Sequence, residues 1–298
     1  MRRRIPSFVA LVAVALATFA TATSPVAAGR DDFPVTVDAD NGEVEIDAQP
    51  QRIVSLSATA TEILFAIGAG DQVVAVDDQS DYPPGAPTTD LSGYEPNIEA
   101  IAGYEPDLVL AGSPGVAEPL ERLDIPAIEE DAPRRLKGAY RQIRKLGRAT
   151  GHSEGAADLV TEMKGEIADL VAQVPDRDAA TTTYWELDDT YYSVTSKTFI
   201  GQLLDLAGLA NIADEADDTS DYPQLTSEFI VDSDPEYIFL ADTECCGQSA
   251  ETVAARPGWG DLGAVQNEGV VALDDDVASR WGPRVVELFQ TIVESTTT

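Results

Sequence analysis

The sequence predicts an α/β protein made of two lobes with parallel sheets, and two observations support this prediction. Short β-type runs alternate with segments of helical spacing, which is typical of parallel strands covered by helices on both faces. In addition, the tetrapeptide SDYP at 80–83 recurs at 220–223, and similar segments follow each copy. Duplication of one unit predicts two pseudo-symmetric, Rossmann-like lobes with a ligand cleft between them.

The first 28 residues have the layout of a secretory signal peptide. Three arginines at 2–4 precede an apolar run over 8–20, and small residues stand before Gly29. The apolar run is too short to span a membrane as a helix. We therefore expect an exported protein at the cell surface or in another extracytoplasmic location, and we exclude 1–28 from the fold.

The N-terminal lobe is assigned to 29–150 and begins with a β-hairpin that turns around Asn41 and Gly42. Strand-like and helix-like segments then alternate along the rest of the lobe. The expected elements are a strand at 52–56, a helix at 61–67, a strand at 73–76, a helix at 97–103 and a strand at 108–111.

One long helix over 151–175 is expected to connect the lobes. Apolar residues recur there every three or four positions, at Leu159, Met163 and Ile167, and Ser153 is a good N-cap. The C-terminal lobe, assigned to 176–298, then repeats the first unit. Its expected elements are a strand at 182–187, a helix at 199–207, a helix at 227–232 and a strand at 237–240.

The charge of the chain is extreme, with 53 acidic and 19 basic residues and a formal net charge of −34. Nucleic acid is excluded as an expected partner because phosphate binding needs a basic surface, and adsorption to anionic lipid is disfavoured. An Asp-rich, Lys-poor surface indicates a halophilic source, with an ordinary acidic secreted protein as the alternative. Seven basic residues cluster at 134–148, which we interpret as a solvated helix face.

No catalytic or metal site is predicted. The segment 151–155 matches the G-x-S-x-G pattern of hydrolases, but a basic helix precedes it where that motif needs a strand. His152 is the only histidine, so that neither a Ser-His-Asp triad nor a typical zinc site can form. We interpret the segment as the turn between two helices.

Cys245 and Cys246 are the only cysteines, and they are adjacent. Neighbouring Cα atoms lie about 3.8 Å apart, whereas a relaxed disulfide needs about 4.4 Å or more. We therefore expect two partly buried thiols, with a redox or soft-metal role as the alternative.

Aromatic residues concentrate in the loops expected to face the cleft. Tyr82 and Tyr222 occupy equivalent places in the two repeats. Aromatic faces with a few polar groups suit a large, flat or macrocyclic ligand. The predicted ligand-binding residues are Tyr82, Tyr94, Trp185, Tyr192, Tyr222, Trp281 and Arg284.

Glu99 and Glu228 form a second duplicated pair, because each stands seven residues before a proline in its repeat. One carboxylate on each lobe suits docking to arginines of a two-fold partner. Two ordinary surface charges are the alternative.

From about residue 33 to 293, the chain resembles the substrate-binding proteins of cobalamin and ferric-siderophore ABC importers. The segments that carry the resemblance are QRIVSLS at 51–57, ATEILFAIG at 60–68, SDYPP at 80–84, NIEAI at 97–101 and EPDLV at 105–109. The SDYPP run is most similar to the cobalamin-binding branch. The resemblance implies two α/β lobes joined by one long helix with little hinge motion, and one ligand held in the cleft without any chemistry.

The resemblance also implies roles for individual residues. Tyr82, Tyr222 and Arg284 match cleft positions, and Glu99 and Glu228 match glutamates that dock on permease arginines. The expected protein is a monomeric receptor without a cofactor that delivers a corrinoid, most simply cobalamin, to an ABC permease dimer and its ATPase. It touches the membrane only through the permease or through an anchor that the sequence does not reveal.

Three alternatives to this function stay open. Within the same family, the ligand is a ferric siderophore or haem, although the few basic residues of the second lobe favour a less charged ligand. From other classes, the chain is a secreted enzyme or a cell-surface sensory domain that uses the same cleft. The lack of a credible base or nucleophile argues against an enzyme.

Overall fold

The computed structural model describes residues 32–176, 181–216 and 219–297 of the chain. The expected signal peptide at 1–28 lies outside these residues. Within them, two four-stranded sheets are parallel throughout and one hairpin is antiparallel. The prediction of two α/β lobes with parallel sheets is confirmed.

The N-terminal lobe contains the hairpin and the first parallel sheet. Its elements are β1 (Val35–Ala39), β2 (Gly42–Ile46), β3 (Ile53–Leu56), α1 (Ala58–Ala66), β4 (Val73–Val76), α2 (Ile98–Ala102), β5 (Leu108–Ala111), α3 (Ala117–Glu121) and β6 (Ala127–Glu129). Strands β3 to β6 form one sheet in the order β4-β3-β5-β6. These strands are apolar and almost wholly buried because helices cover both faces of the sheet.

Two helices follow the first lobe, α4 (Leu136–Thr150) and α5 (Ser153–Val171). Gly151 ends α4 in a left-handed conformation with φ of 78°, so that 151–155 is the turn between two helices, as predicted. Helix α5 begins at Ser153, and His152 occupies the N-cap position assigned to Ser153 from the sequence. The apolar face of α5, including Val160 and Met163, is buried against α4 and the last helix of the chain.

The C-terminal lobe follows α5. Its elements are β7 (Thr181–Glu186), α6 (Phe199–Leu206), β8 (Leu209–Asn211), α7 (Ser227–Ser233), β9 (Tyr237–Leu240), α8 (Ala250–Ala254), α9 (Gly263–Gln266), β10 (Val270–Ala272), α10 (Asp275–Ser279) and α11 (Val285–Thr296). The strand order is β10-β9-β7-β8, and β7 and β9 are central.

Polar contacts tie the two lobes together beside the connecting helix. The Leu136 N–H donates to Gln202 Oε1 at 2.8 Å, and Arg134 binds Asp221 at 2.8 Å. The remaining charged side chains at 134–148 are exposed apart from the partly buried Lys145, which agrees with the predicted solvated face. None of the described helices has the length and apolar character needed to cross a membrane.

Candidate functional site

A cleft of about 210 Å³ lies at the carboxyl ends of the strands of the N-terminal lobe. Its walls come from the residues after β3, β4 and β5 and from the segment between β10 and α11, which belongs to the second lobe. Ligands of parallel α/β sheets bind at this edge because the loops that follow the strands collect there. The lining includes Ser57, Asp77, Tyr94, Ser113, Asp276, Arg280 and Trp281.

The first SDYP loop is anchored by its serine. Ser80 is buried, and its hydroxyl donates to the Asp77 carboxylate and lies 2.9 Å from Thr61 Oγ1 of α1. Burial raises the pKa of Asp77, and the Ser80 hydrogen bond opposes this shift. With the serine fixed, Tyr82 stays 41% exposed at the surface of the loop.

Two buried arginines of the second lobe bind one glutamate of the first. Glu62 Oε1 on α1 accepts hydrogen bonds from Arg280 Nη1 at 2.9 Å and from Arg284 Nη2 at 2.7 Å. Arg280 also binds Asp81 at 3.1 Å and Asp276 at 2.6 Å. The positive charge of both arginines is therefore balanced by protein carboxylates.

Arg284, a predicted ligand contact, lies within this ion-pair network. Its side chain is 9% exposed, and Glu62 holds its guanidinium 4.4 Å from the centre of the Tyr82 ring. This distance is typical of a cation–π contact. Arg284 is therefore engaged by both Glu62 and the Tyr82 ring, and its contact with a ligand stays a prediction.

In the second lobe, Tyr192 and Tyr222 stand on the two segments of a short ribbon. The segments 190–195 and 221–225 run antiparallel, joined by backbone hydrogen bonds and by a bridge between Tyr192 and Gln224. Because Tyr222 stands two residues from Gln224, its backbone lies diagonally across the ribbon from that of Tyr192. Their side chains are 41% and 51% exposed, respectively.

Tyr191 packs this ribbon against the rest of the second lobe. Its ring stacks on Trp259 with centroids 5.6 Å apart, and the Arg256 guanidinium lies 4.6 Å from the Trp259 ring. Arg256 binds the buried Glu186 through two hydrogen bonds of 2.6 Å. The backbone of Tyr191 has a φ of 69°, a left-handed conformation that turns its ring away from Tyr192.

The other aromatic candidates fall into three environments. Tyr94 is 84% exposed beside the cleft, and Trp281 lines the cleft while its Nε1 donates to Gln142 at 2.8 Å. Trp185 is fully buried and stacks on Phe239, with centroids 5.8 Å apart, so its prediction as a ligand contact is wrong. The reason is that β7 is a central strand with residues buried on both faces.

Glu99 and Glu228 occupy matching places in the two lobes. Each is the second residue of its helix, α2 or α7, and each side chain is exposed. The helices begin with N-caps of the same kind, since the Asn97 and Thr226 side chains accept N–H hydrogen bonds. Because both carboxylates are exposed, a partner can contact one of them on each lobe.

The expectation of partly buried thiols is wrong. Cys245 and Cys246 form a disulfide between adjacent residues, with Cα atoms 3.8 Å apart, and both are exposed in the loop after β9. Among the described residues, no three His, Cys, Asp or Glu side chains are grouped to hold a metal ion.

Sequence reasoning missed the buried acidic residues, of which Glu62 and Asp242 matter most here. Glu62 lies in α1 directly before an apolar run. A carboxylate that is buried there needs a partner, so the sequence did carry a signal for this ion pair. Asp242 follows β9 without such a signal. It is fully buried, and neither carboxylate oxygen has a hydrogen-bond partner among the described residues. Burial, followed by the charge of Glu186, raises the pKa of Asp242 to about 7.

Comparison with known proteins identifies the fold. The crystal structure of the periplasmic vitamin B12 binding protein BtuF of Vibrio cholerae superposes with a TM-score of 0.68 at 26% identity, covering 83% of this chain and 96% of that one. A cobalamin-binding protein of Halobacterium salinarum is 33% identical over 94% of this chain and 82% of its own length.

Two further matches agree with this assignment. The uncharacterized ABC transporter substrate-binding lipoprotein YvrC of Bacillus subtilis is 32% identical over 88% of this chain and 85% of its own length. Residues 53–277 match the family described as periplasmic binding protein. Because this match covers most of the sequence and includes both sheets, the chain belongs to the periplasmic binding protein family.

Proposed function

We propose that this chain is the extracytoplasmic substrate-binding protein of an ABC importer and that its ligand is a corrinoid, most simply cobalamin. The observation that carries the proposal is the make-up of the cleft. Tyr94 lines it and further exposed tyrosines stand on both lobes, whereas Arg280, which lines it, and the neighbouring Arg284 are engaged by carboxylates. The protein captures the ligand and performs no reaction on it.

The tyrosines supply the contact surface that a macrocycle needs. Tyr82 is exposed on the first lobe, and Tyr192 and Tyr222 are exposed on the ribbon of the second. Large aromatic faces bury apolar area at little cost in side-chain entropy, and their hydroxyl groups still reach water or polar substituents. Rings on opposing lobes can therefore cover both sides of a flat ligand.

The charges of the cleft favour a ligand without strong negative charge. Asp77, Asp81 and Asp276 lie at or beside it, and Glu62 adds a fourth carboxylate. Arg280 and Arg284 are the basic groups of this network, so acidic groups outnumber basic ones. An anionic ferric siderophore or the propionates of haem would meet repulsion here, whereas the carboxamides of a corrinoid can donate hydrogen bonds to carboxylates.

The relatives support the same ligand and location. The protein of Halobacterium salinarum that aligns with nearly the whole chain is named for cobalamin binding. The related Bacillus subtilis protein is named as a substrate-binding lipoprotein of an ABC transporter. We infer that Glu99 and Glu228 dock on a permease dimer whose ATPase drives import, so that the chain works outside the cytoplasm.

Titration calorimetry with cyanocobalamin, in molar salt, tests the proposal. We expect one-to-one binding with a micromolar or lower Kd. Absence of heat in a protein shown to be folded by circular dichroism would overturn the corrinoid assignment. Haemin and a ferric hydroxamate, titrated in the same buffer, would then identify which alternative ligand class the cleft accepts.

A further inference from the structure

We propose that the Cys245–Cys246 disulfide is a contact surface for the ligand at the rim of the cleft. This inference rests on the proposed function and adds a ligand-binding element contributed by the second lobe. The bond is made between adjacent residues, and both residues are exposed. Any role of the disulfide therefore depends on the surface that it exposes to solvent.

The disulfide does little to stabilise the fold. A cross-link stabilises a protein mainly by closing a chain loop in the unfolded state, and the effect grows with the length of that loop. Here the sequence separation is one residue, so no chain loop is closed. Its effect is confined to the conformation and the surface of two residues.

The position of the loop connects it to the cleft. The loop follows β9, a central strand, and leaves the sheet at the carboxyl edge, as does the ribbon that carries Tyr192 after β7. The Asp275 carboxylate binds this loop through the N–H groups of Thr243, Glu244 and Cys245. The next residue, Asp276, lines the cleft itself.

The loop is held in place on both sides of the disulfide. Asp275 accepts the Cys245 N–H at 2.8 Å, and on the other side the Gln248 amide donates to Cys246 O at 3.4 Å. Gln248 is fixed in turn, because its Oε1 accepts a hydrogen bond from Arg256 at 2.7 Å. The two residues that carry the sulfur atoms are thus held in position by hydrogen bonds on both sides.

The chemistry of this tip differs from the rest of the protein surface. In a chain with 53 acidic residues, Cys245, Cys246 and Gly247 form an exposed, uncharged tip. Linked sulfur atoms are apolar and polarizable, and they pack well against methyl groups and ring edges. This surface suits the methyl-bearing rim of a corrinoid macrocycle, and the contact requires no bond to form or break.

The test compares the purified wild-type protein with the double variant Cys245→Ser/Cys246→Ser. We measure the Kd of cyanocobalamin and of dicyanocobinamide by calorimetry, and the melting temperature by circular dichroism. The variant should bind both ligands about fivefold or more weakly than the wild type, at an almost unchanged melting temperature. The variant Glu244→Gln changes an exposed neighbour in the same loop and should bind like the wild type.

The outcomes separate this inference from the proposed function. Wild-type protein that binds neither corrinoid would overturn the proposed function and this inference with it. Wild-type binding with an unchanged Kd in the double variant would overturn this inference alone. If that variant also failed to support uptake in cells, the loop would be a permease contact. Free thiols detected by a thiol reagent in the denatured, unreduced protein would likewise contradict the disulfide surface.

Discussion

The guanidinium of Arg284 lies 4.4 Å from the centre of the Tyr82 ring, and Glu62 holds it there. The arginine comes from the end of the second lobe, whereas the tyrosine and the glutamate belong to the first. Because Glu62 also binds Arg280, one buried carboxylate fixes two cationic groups beneath the cleft. The position of the Tyr82 ring therefore depends on an ion pair that joins residues 222 positions apart.

Glu62→Gln should destabilise the protein strongly, because it leaves two buried arginines without their shared anion. We expect a loss of about 3 kcal/mol in the free energy of unfolding, measured by urea denaturation at constant salt. Glu95→Gln, an exposed change of the same chemistry, should have almost no effect. Equal stability of Glu62→Gln and the wild type would show that this ion pair does not stabilise the fold.

The ion pair also shows why the sequence predicted the fold better than the site. Strand and helix order followed from local patterns, and the exposed tyrosines at 82 and 222 were found because they repeat. The ion pair between Arg284 and Glu62 was not predicted, because the two residues are remote in sequence and give no local pattern. Trp185 was misassigned since an aromatic residue next to a predicted loop looks the same whether it faces the core or the cleft.

Tyr222→Ala should weaken corrinoid binding by at least about 1 kcal/mol, or roughly fivefold in Kd, because it removes an exposed ring that we predict to stack on the ligand. Tyr222→Phe is the matched control, since it keeps the ring and loses only the hydroxyl group. Calorimetry with cyanocobalamin measures both. An unchanged Kd for the alanine variant would remove Tyr222 from the site, and equal losses in both variants would assign the contact to the hydroxyl group.

The double variant Glu99→Arg/Glu228→Arg should bind the ligand normally and fail to support uptake. Both side chains are exposed in the first turns of their helices, so the fold tolerates the change, whereas arginines on the permease would be repelled. Uptake of labelled cobalamin by cells that lack the native protein is the measurement. Glu162→Arg/Glu166→Arg makes the same charge change on the exposed side of α5 and should leave uptake intact. Normal uptake with the first variant would exclude docking through these glutamates.

Asp242 should make the stability of the protein depend on pH in an unusual direction. Burial and the neighbouring Glu186 raise the pKa of Asp242 to about 7, from an ordinary value of 3.8. Between these two pH values the folded state keeps a proton that the unfolded state has released. The contribution of Asp242 to the free energy of unfolding is therefore greatest below about pH 4. It falls by up to about 1.4 kcal/mol per pH unit as the pH rises, and it is constant above about pH 7.

Asp242→Asn tests this prediction because the amide cannot titrate and can donate a hydrogen bond to Glu186. Groups that face Asp242 from other elements, namely Glu186, Arg256 and Asp275, stay in place in the variant. Urea denaturation at pH 4.5, 6 and 8 should show the variant gaining stability relative to the wild type as the pH rises, by about 3 kcal/mol between pH 4.5 and pH 8. Asp261→Asn, at an exposed position, should follow the wild-type curve at every pH. A constant difference between Asp242→Asn and the wild type across this range would mean that Asp242 is already ionised in the folded protein at pH 4.5.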